Sequence, residues 1–246
     1  MSAPADQLAL FGGEEAVVVR RSGRARRLSL RVFPHGVVEV VAPLRVGERS
    51  IRQFVESHAD WIAKARGGFR ALHGDAGLAP PAELRLAAVD EHWAIDYRDG
   101  SGRLRALAGP GGGRLTVPGP VDPHRRIARL RIWLMSRARA TLLPWLEAVS
   151  AEVGLPYAGA SVRRQRSRWG SCSARHTISL NCALLFVEPA LVRHLFLHEL
   201  AHTRHLNHSP RFWRLVATLD PAFELREREL REAWRSVPAW LNHDPI

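Results

Sequence analysis

Short stretches in which apolar and polar residues alternate characterise the first part of the chain, and this period of two predicts β-strands. Turn signals at Ser22-Gly23 and Pro34-His35-Gly36 separate them. From Ser50, apolar side chains recur at helical spacing, which predicts one helix to about Arg66, and the Gly- and Ala-rich residues 67–81 are predicted to be a connector. The strands are predicted at residues 17–20, 28–32 and 37–41.

A second group of short strands leads into a long helix. Asp122-Pro123 begins a helical stretch that Pro144 is expected to kink or divide before Gly154. The apolar stripe of this stretch indicates packing against a core. The strands of the group are predicted at residues 83–89, 92–97, 103–107 and 114–117.

The carboxy-terminal part of the sequence predicts strands followed by helices. Along the whole chain, groups of strands are each followed by one or more helices. This order is typical of the α+β class, which we therefore predict. The elements of this part are strands at 160–166 and 177–181, a helix from Glu188-Pro189 through His202 to near Asn207, a helix from Ser209-Pro210, and a last helix from Pro221 to about Trp234.

One helix of this part carries the pentapeptide His198-Glu199-Leu200-Ala201-His202. Histidines four residues apart lie one above the other on a helix, so that both imidazoles can reach one metal ion. A glutamate directly after the first histidine can lean toward a water molecule held there. The spacing therefore predicts zinc ligands at His198 and His202 and a general base at Glu199.

The third ligand is less fixed by the spacing. His208 is the leading candidate because the helix must stop soon after His202, and Asn207 tolerates the backbone conformation that turns the chain back. Glu224 or Glu227 on the last helix would give two histidines and one carboxylate, and Cys172 would give a thiolate. His194 lies on the same face but two turns from His202, which places it in the core or beside a ligand.

Composition adds a basic charge to this picture. The net charge is +12, with 36 lysines and arginines of which only Lys64 is a lysine. Three patches, at residues 20–31, 125–139 and 163–168, are dense in arginine, so nucleic-acid binding is possible but not favoured over solvated basic faces. The two cysteines are too few for a disulfide framework, and no secretory signal or membrane span is recognisable, which predicts a cytoplasmic protein.

Several separate motifs, in order along the chain, resemble the YgjP-like metallopeptidase domain, a family related in motif to the WLM and SprT-like zinc peptidases. The resemblance extends from about Ala16 to Trp234. It implies a minimal zincin-like fold, one Zn²⁺ per chain held by His198, His202 and His208, and a metal-bound water activated by Glu199 for hydrolysis of peptide bonds. The motifs are residues 166–173, 178–181, 198–202, 207–209 and 212–213.

The order of the predicted elements suggests a domain organisation. Residues 1–15 are expected to be a flexible leader and residues 16–120 a β-rich part with one helix. Residues 121–246 would then form the zincin-like catalytic part. We expect the last two parts to form one continuous unit.

Substrate contacts can be placed only as expectations. In zincins an extended substrate pairs with an edge strand above the metal, and residues 177–181 are the best candidate for that edge. Arg166 or Arg168 could polarise the scissile carbonyl, while Trp169, Asn181 and His205 could line the cleft. The expected partner is a protein or peptide. Two alternatives remain open: a nucleic-acid-associated protease or binder, and a zinc-stabilised interaction module without turnover, which would have no need of Glu199.

Overall fold

The computed structural model describes residues 17–23, 25–32, 38–73 (backbone only for 69–73), 79–165 and 168–242 of the 246 in the chain. The chain divides into two compact units, residues 1–78 and 79–246. The predicted leader, residues 1–15, lies outside the described residues.

The first unit contains a three-stranded sheet and two helices. Its central strand β3 pairs in parallel with β1 and antiparallel with β2. The prediction of one helix from Ser50 is wrong: the helix is interrupted where the Ser57 hydroxyl donates to the carbonyl of Phe54 at 2.9 Å. The elements are β1 (Val17–Ser22), β2 (Ser29–Val32), β3 (Val38–Pro43), α1 (Glu48–Glu56) and α2 (Ala59–His73).

The second unit begins with a four-stranded sheet in the order β4-β5-β7-β6. Strand β7 lies between β5 and β6, and two of its residues must be glycine because the neighbouring backbones leave no room for a Cβ atom. A Cβ at Gly112 would lie 1.9 Å from the carbonyl oxygen of His92, and one at Gly113 would lie 2.1 Å from that of Leu107. The strands are β4 (Glu83–Leu86), β5 (Glu91–Arg98), β6 (Arg105–Gly109) and β7 (Gly112–Pro118).

The long helix α3 (Pro123–Val153) follows this sheet. Asp122 caps its start by accepting from the backbone N–H of His124 at 2.9 Å, and Gly154 ends it in the left-handed conformation with φ 67°. Pro144 lies inside the helix without dividing it, contrary to one of the two expectations for this residue.

Strands β4, β5 and β7 share one hydrophobic core with α3 and with the helix that carries the histidine motif. Leu84 and Leu115 from the sheet are buried in the same cluster as Leu130 and Phe196. The predicted boundary at 120/121 therefore cuts through a core. The structure divides instead at 78/79, inside the predicted connector, because the apolar faces of these strands pack against the carboxy-terminal helices.

A second sheet of this unit, in the order β8-β10-β9, precedes the motif helix. Strand β10 pairs in parallel with β8 and antiparallel with β9. The prediction that residues 177–181 form a sheet edge is therefore wrong, because a short strand at residues 170–172 covers that side and is itself the edge. The strands are β8 (Gly159–Arg163), β9 (Gly170–Cys172) and β10 (Thr177–Asn181).

Helices complete the second unit, and the α+β prediction is confirmed. The motif helix ends at Ala201, earlier than predicted, and is followed by turns rather than further helix. Among the described residues, no helix combines the length and apolar character needed to cross a membrane. The helices are α4 (Pro189–Ala201), α5 (Pro210–Leu219), α6 (Phe223–Glu232) and α7 (Ala239–Asn242).

Candidate metal centre

Helix α4 positions the first two candidate ligands. It starts with a proline in its first turn, where no backbone donor is lost, and most of its apolar side chains are buried. His198 and His202 lie one turn apart, and their ring centroids are 5.1 Å apart. Because α4 is buried on most sides, these two rings are held on a rigid element.

The turn after α4 brings His208 back to the same place. The Nε2 atoms of His198 and His208 lie 3.1 Å apart, and the ligand atoms of His198, His202 and His208 all lie within 4.8 Å of one another. Ser209 then caps α5 by accepting from the backbone N–H of Phe212. The structure therefore brings together the three histidines predicted to be ligands.

Hydrogen bonds on the far side of two rings orient them. The Nδ1 of His198 donates to Glu227 Oε1 at 2.8 Å, and the Nδ1 of His202 donates to the backbone carbonyl of His205 at 3.0 Å. In these tautomers each Nε2 keeps its lone pair for a metal. His205, predicted to contact substrate, thus positions a ligand through its main chain.

Behind His198 lies a buried network that the sequence pattern did not reveal. His194 Nδ1 is 2.7 Å from Asp220 Oδ2, and its Nε2 is 3.3 Å from Glu227 Oε1. Arg226 pairs with Asp220 at the outer end of this network. Burial opposes ionisation of Glu227, but the hydrogen bonds from His194 and His198 prevail and hold the pKa of this carboxyl well below its usual range.

This network distinguishes between two groups of ligand-type atoms. His194, His198 and Glu227 also lie close enough to hold an ion. Their facing atoms, however, are already paired as donor and acceptor at 2.8 and 3.3 Å. The Nε2 atoms of His198 and His208 face each other at 3.1 Å, and the Nε2 of His198, whose Nδ1 donates to Glu227, keeps a lone pair for a cation. The geometry thus favours the three histidines, with Glu227 behind one of them.

Glu199 is the most unusual side chain of the centre. Its residue is 4% exposed, and its Oε2 has no hydrogen-bond partner among the described residues. Burial raises the pKa of this carboxyl to about 7, while His198 and Arg168 act in the opposite direction. A buried, unpaired acceptor next to three imidazoles fits a site completed by a metal ion and water, so the residues present fit zinc.

Burial also prepares the imidazoles for metal binding. It lowers the pKa of His202, despite the hydrogen bond to the carbonyl of His205, and it lowers the pKa of His208, with the charge of His198 acting in the same direction. The neutral form is the one that coordinates a metal. Both residues are therefore biased toward the ligand form near neutral pH.

Three more of the predicted site residues are Arg166, Arg168 and Trp169. Arg168 is exposed and close enough to Glu199 to lower the pKa of its carboxyl, whereas Arg166 lies outside the described residues. Trp169 is buried: its Nε1 donates to the carbonyl of Leu230 at 2.9 Å, and its ring stacks on Trp234. Trp169 is therefore part of the core, with no face turned toward a substrate.

Asn181 supports the site loop from inside. It is 0% exposed, and its Nδ2 donates to the carbonyls of Gln165 and Arg168 at 2.7 and 2.9 Å. Its Oδ1 accepts from the backbone N–H of Ala183. All its polar atoms are thus occupied, which corrects the prediction of a substrate contact: Asn181 fixes the loop that carries Arg168.

Two of the three alternative third ligands, Cys172 and Glu224, are not brought into the cluster. Among the described residues, neither Cys172 nor Glu224 belongs to a group of ligand atoms close enough to share an ion. Burial, together with the negative charge of Glu199, raises the pKa of the Cys172 thiol to about 11. Cys172 lies on the edge strand β9 beside Glu199 and stays protonated there.

A family comparison identifies a metallopeptidase domain in the chain. The model of the YgjP-like metallopeptidase domain family matches residues 26–233. No curated protein matches the chain. Among solved structures, the chain is similar to the metallopeptidase zymogen abylysin of Pyrococcus abyssi, with 26% identity over 37% of this chain and 94% of that one, at a TM-score of 0.33.

Proposed function

The chain belongs to the YgjP-like metallopeptidase domain family, and from this premise we propose that it is a zinc-dependent peptidase. His198, His202 and His208 would hold one zinc ion, and Glu199 would act as the general base. The observation that carries the proposal is the buried, unpaired Oε2 of Glu199 beside the three converging imidazoles. Three protein ligands with one open position are typical of catalytic zinc, whereas structural sites use four.

Zinc at this position would supply a Lewis acid that lowers the pKa of water and polarises the scissile carbonyl. Glu199 takes a proton from the attacking water while the water oxygen bonds to the carbonyl carbon. The same carboxyl then hands the proton to the amide nitrogen as the C–N bond breaks, which releases a carboxylate and an amine. Because Glu199 is buried, it exchanges this proton with the reacting atoms rather than with bulk solvent.

Strand β9 is where the substrate would lie. It is the edge of its sheet on the side of Glu199, since a Cβ at Gly170 would be only 2.7 Å from Glu199 Oε1. An extended peptide can add to such an edge through backbone hydrogen bonds, which places its carbonyls beside the metal without reading its sequence. Arg168, exposed and near Glu199, is the side chain we propose for contact with the scissile carbonyl.

Metal dependence tests this proposal. Purified protein with one zinc per chain is expected to hydrolyse a broad library of unfolded proteins or peptides. A chelator should abolish the activity, and added zinc should restore it. Zinc content by elemental analysis and cleavage by mass spectrometry are measured on the same samples. Full zinc occupancy with no cleavage in a broad library would contradict the proposal and favour a zinc-stabilised interaction module.

A further inference from the structure

A second concave surface lies beside the metal centre and is strongly basic. The cavity has a volume of about 640 Å³ and is lined by residues 204–207 and 209–211 together with Arg214. Three of these residues are arginines and none is acidic. We call this cavity the arginine pocket.

The charge of the arginine pocket is not compensated locally. Arg204, Arg211 and Arg214 are all exposed, and within the described ranges no ion pair or side-chain hydrogen bond involves their guanidinium groups. Cations held in a concave surface focus a positive potential in it. The amino-terminal end of α5, capped by Ser209, adds the positive end of a helix dipole to the same wall. The pocket is therefore built to attract an anion.

The wall of the arginine pocket is also the loop that holds the metal ligands. His205 accepts the hydrogen bond that orients His202, and Ser209 directly follows His208. A cavity of this volume is roughly 11 Å across if spherical, a distance that three to four residues of extended peptide span at about 3.3 Å per residue. An occupant of the pocket would thus lie within a few residues of a bond at the metal.

We propose that the arginine pocket binds an acidic side chain of the protein substrate, aspartate or glutamate, close to the scissile bond. This specificity rests on the proposed peptidase function. Arginine offers paired donors that match a carboxylate. Leu206, 58% exposed, gives the pocket an apolar wall for the methylene groups of a glutamate.

Two features favour a peptide over a nucleic acid in this pocket. None of its lining residues is a phenylalanine, tyrosine or tryptophan, whereas single-stranded nucleic acids are bound largely by bases stacked on such aromatic rings. Its three cations converge on one cavity instead of following a backbone with regularly spaced phosphates. A single carboxylate on a flexible chain fits this arrangement better.

The test compares two peptides that differ only by glutamate or glutamine at the position a cleavage library selects. With zinc-loaded full-length protein, kcat/KM for the glutamate peptide is expected to be about 10- to 100-fold higher, the usual range for hydrogen bonds to a charged group. The double variant Arg211→Gln/Arg214→Gln should bring the ratio close to one and keep its zinc. Arg139→Gln, on an exposed arginine of α3 that pairs with none of the described side chains, is the matched control and should leave the ratio unchanged.

The outcomes separate this proposal from the peptidase function. Equal cleavage of the two peptides, or a ratio that is unchanged in the double variant, would contradict the proposed role of the arginine pocket. Neither result would contradict the proposed peptidase function. If no peptide is cleaved, the affinities of the same two peptides for zinc-loaded protein are measured by fluorescence anisotropy. Equal affinities would contradict the proposal that the arginine pocket binds an acidic side chain. A single-stranded oligonucleotide whose binding is lost in the double variant, with no difference between the peptides, would overturn it in favour of nucleic acid.

Discussion

Glu199→Gln is expected to lower peptide hydrolysis by about 10²- to 10⁴-fold while leaving fold and zinc content intact. Glutamine keeps the size of the side chain and can occupy the same buried space, but it cannot accept the proton of the attacking water. Because Glu199 is not among the ligands, its replacement should not release the ion. Cleavage rates on the peptide library and zinc per chain are measured in parallel. Cleavage by the variant at the wild-type rate would show that the activity originates elsewhere.

A second variant tests the position of this carboxyl group without changing it. A Cβ at Gly170 would lie 2.7 Å from Oε1, 3.0 Å from Cγ and 3.1 Å from Cδ of Glu199, so Gly170→Ala should displace the base. Displacement by about 1 Å can cost about 10²-fold in rate. Gly159→Ala on β8 is the control, since its Cβ would meet nothing within 4 Å. Equal losses in both variants would mean that the sheet, not the base, had been disturbed.

His208→Ala is expected to lose most of the bound zinc and, with it, the activity. The other two ligands are His198 on α4 and His202, which directly follows the last residue of α4, and two imidazoles alone hold zinc weakly. Glu227→Gln provides a graded comparison: it removes the negative charge of the acceptor behind His198, and such changes lower metal affinity by about 10- to 100-fold. Cys172→Ala, outside the ligand group, should keep full occupancy. Zinc affinity is measured by competition with a chelator of known strength.

The same series distinguishes the two candidate ligand groups. Full occupancy in His208→Ala together with an empty site in His194→Ala and Glu227→Ala would assign the ion to the inner group of His194, His198 and Glu227. Loss of zinc in His208→Ala, with only weakened binding in Glu227→Gln, would support the group of His198, His202 and His208. The two results are mutually exclusive.

The sequence was most informative where spacing along one helix determines geometry. His198 and His202 meet because they are four residues apart on α4, and the end of that helix before a capped α5 brings back His208. The network behind them was not visible in this way. Asp220 at the end of α5 and Glu227 on α6 contact His194 and His198 from 26 and 29 residues away, through helix packing that no local pattern reveals.

Sheet pairing was the other limit of the sequence. Alternation located β10 correctly, but whether it is central or at an edge depends on β9, a strand of only three residues that is too short to show a period. Likewise, the apolar faces of β4, β5 and β7 indicate that something covers them but not that the cover is α3 and α4. Only the assembled core determines where the units divide.

Helix α5 has little core of its own. It packs on α4 through a small cluster formed by Ala201, Phe212 and Val216, separate from the main core. Contacts at the site hold its two ends instead. His208, just before α5, contacts His198, and Asp220, just after α5, pairs with His194. An ion held by the three histidines would therefore also stabilise the packing of α5 against α4. Binding of zinc and local opening of residues 203–222 become thermodynamically linked, so that the metal-free protein should exchange its amide hydrogens fastest in this segment.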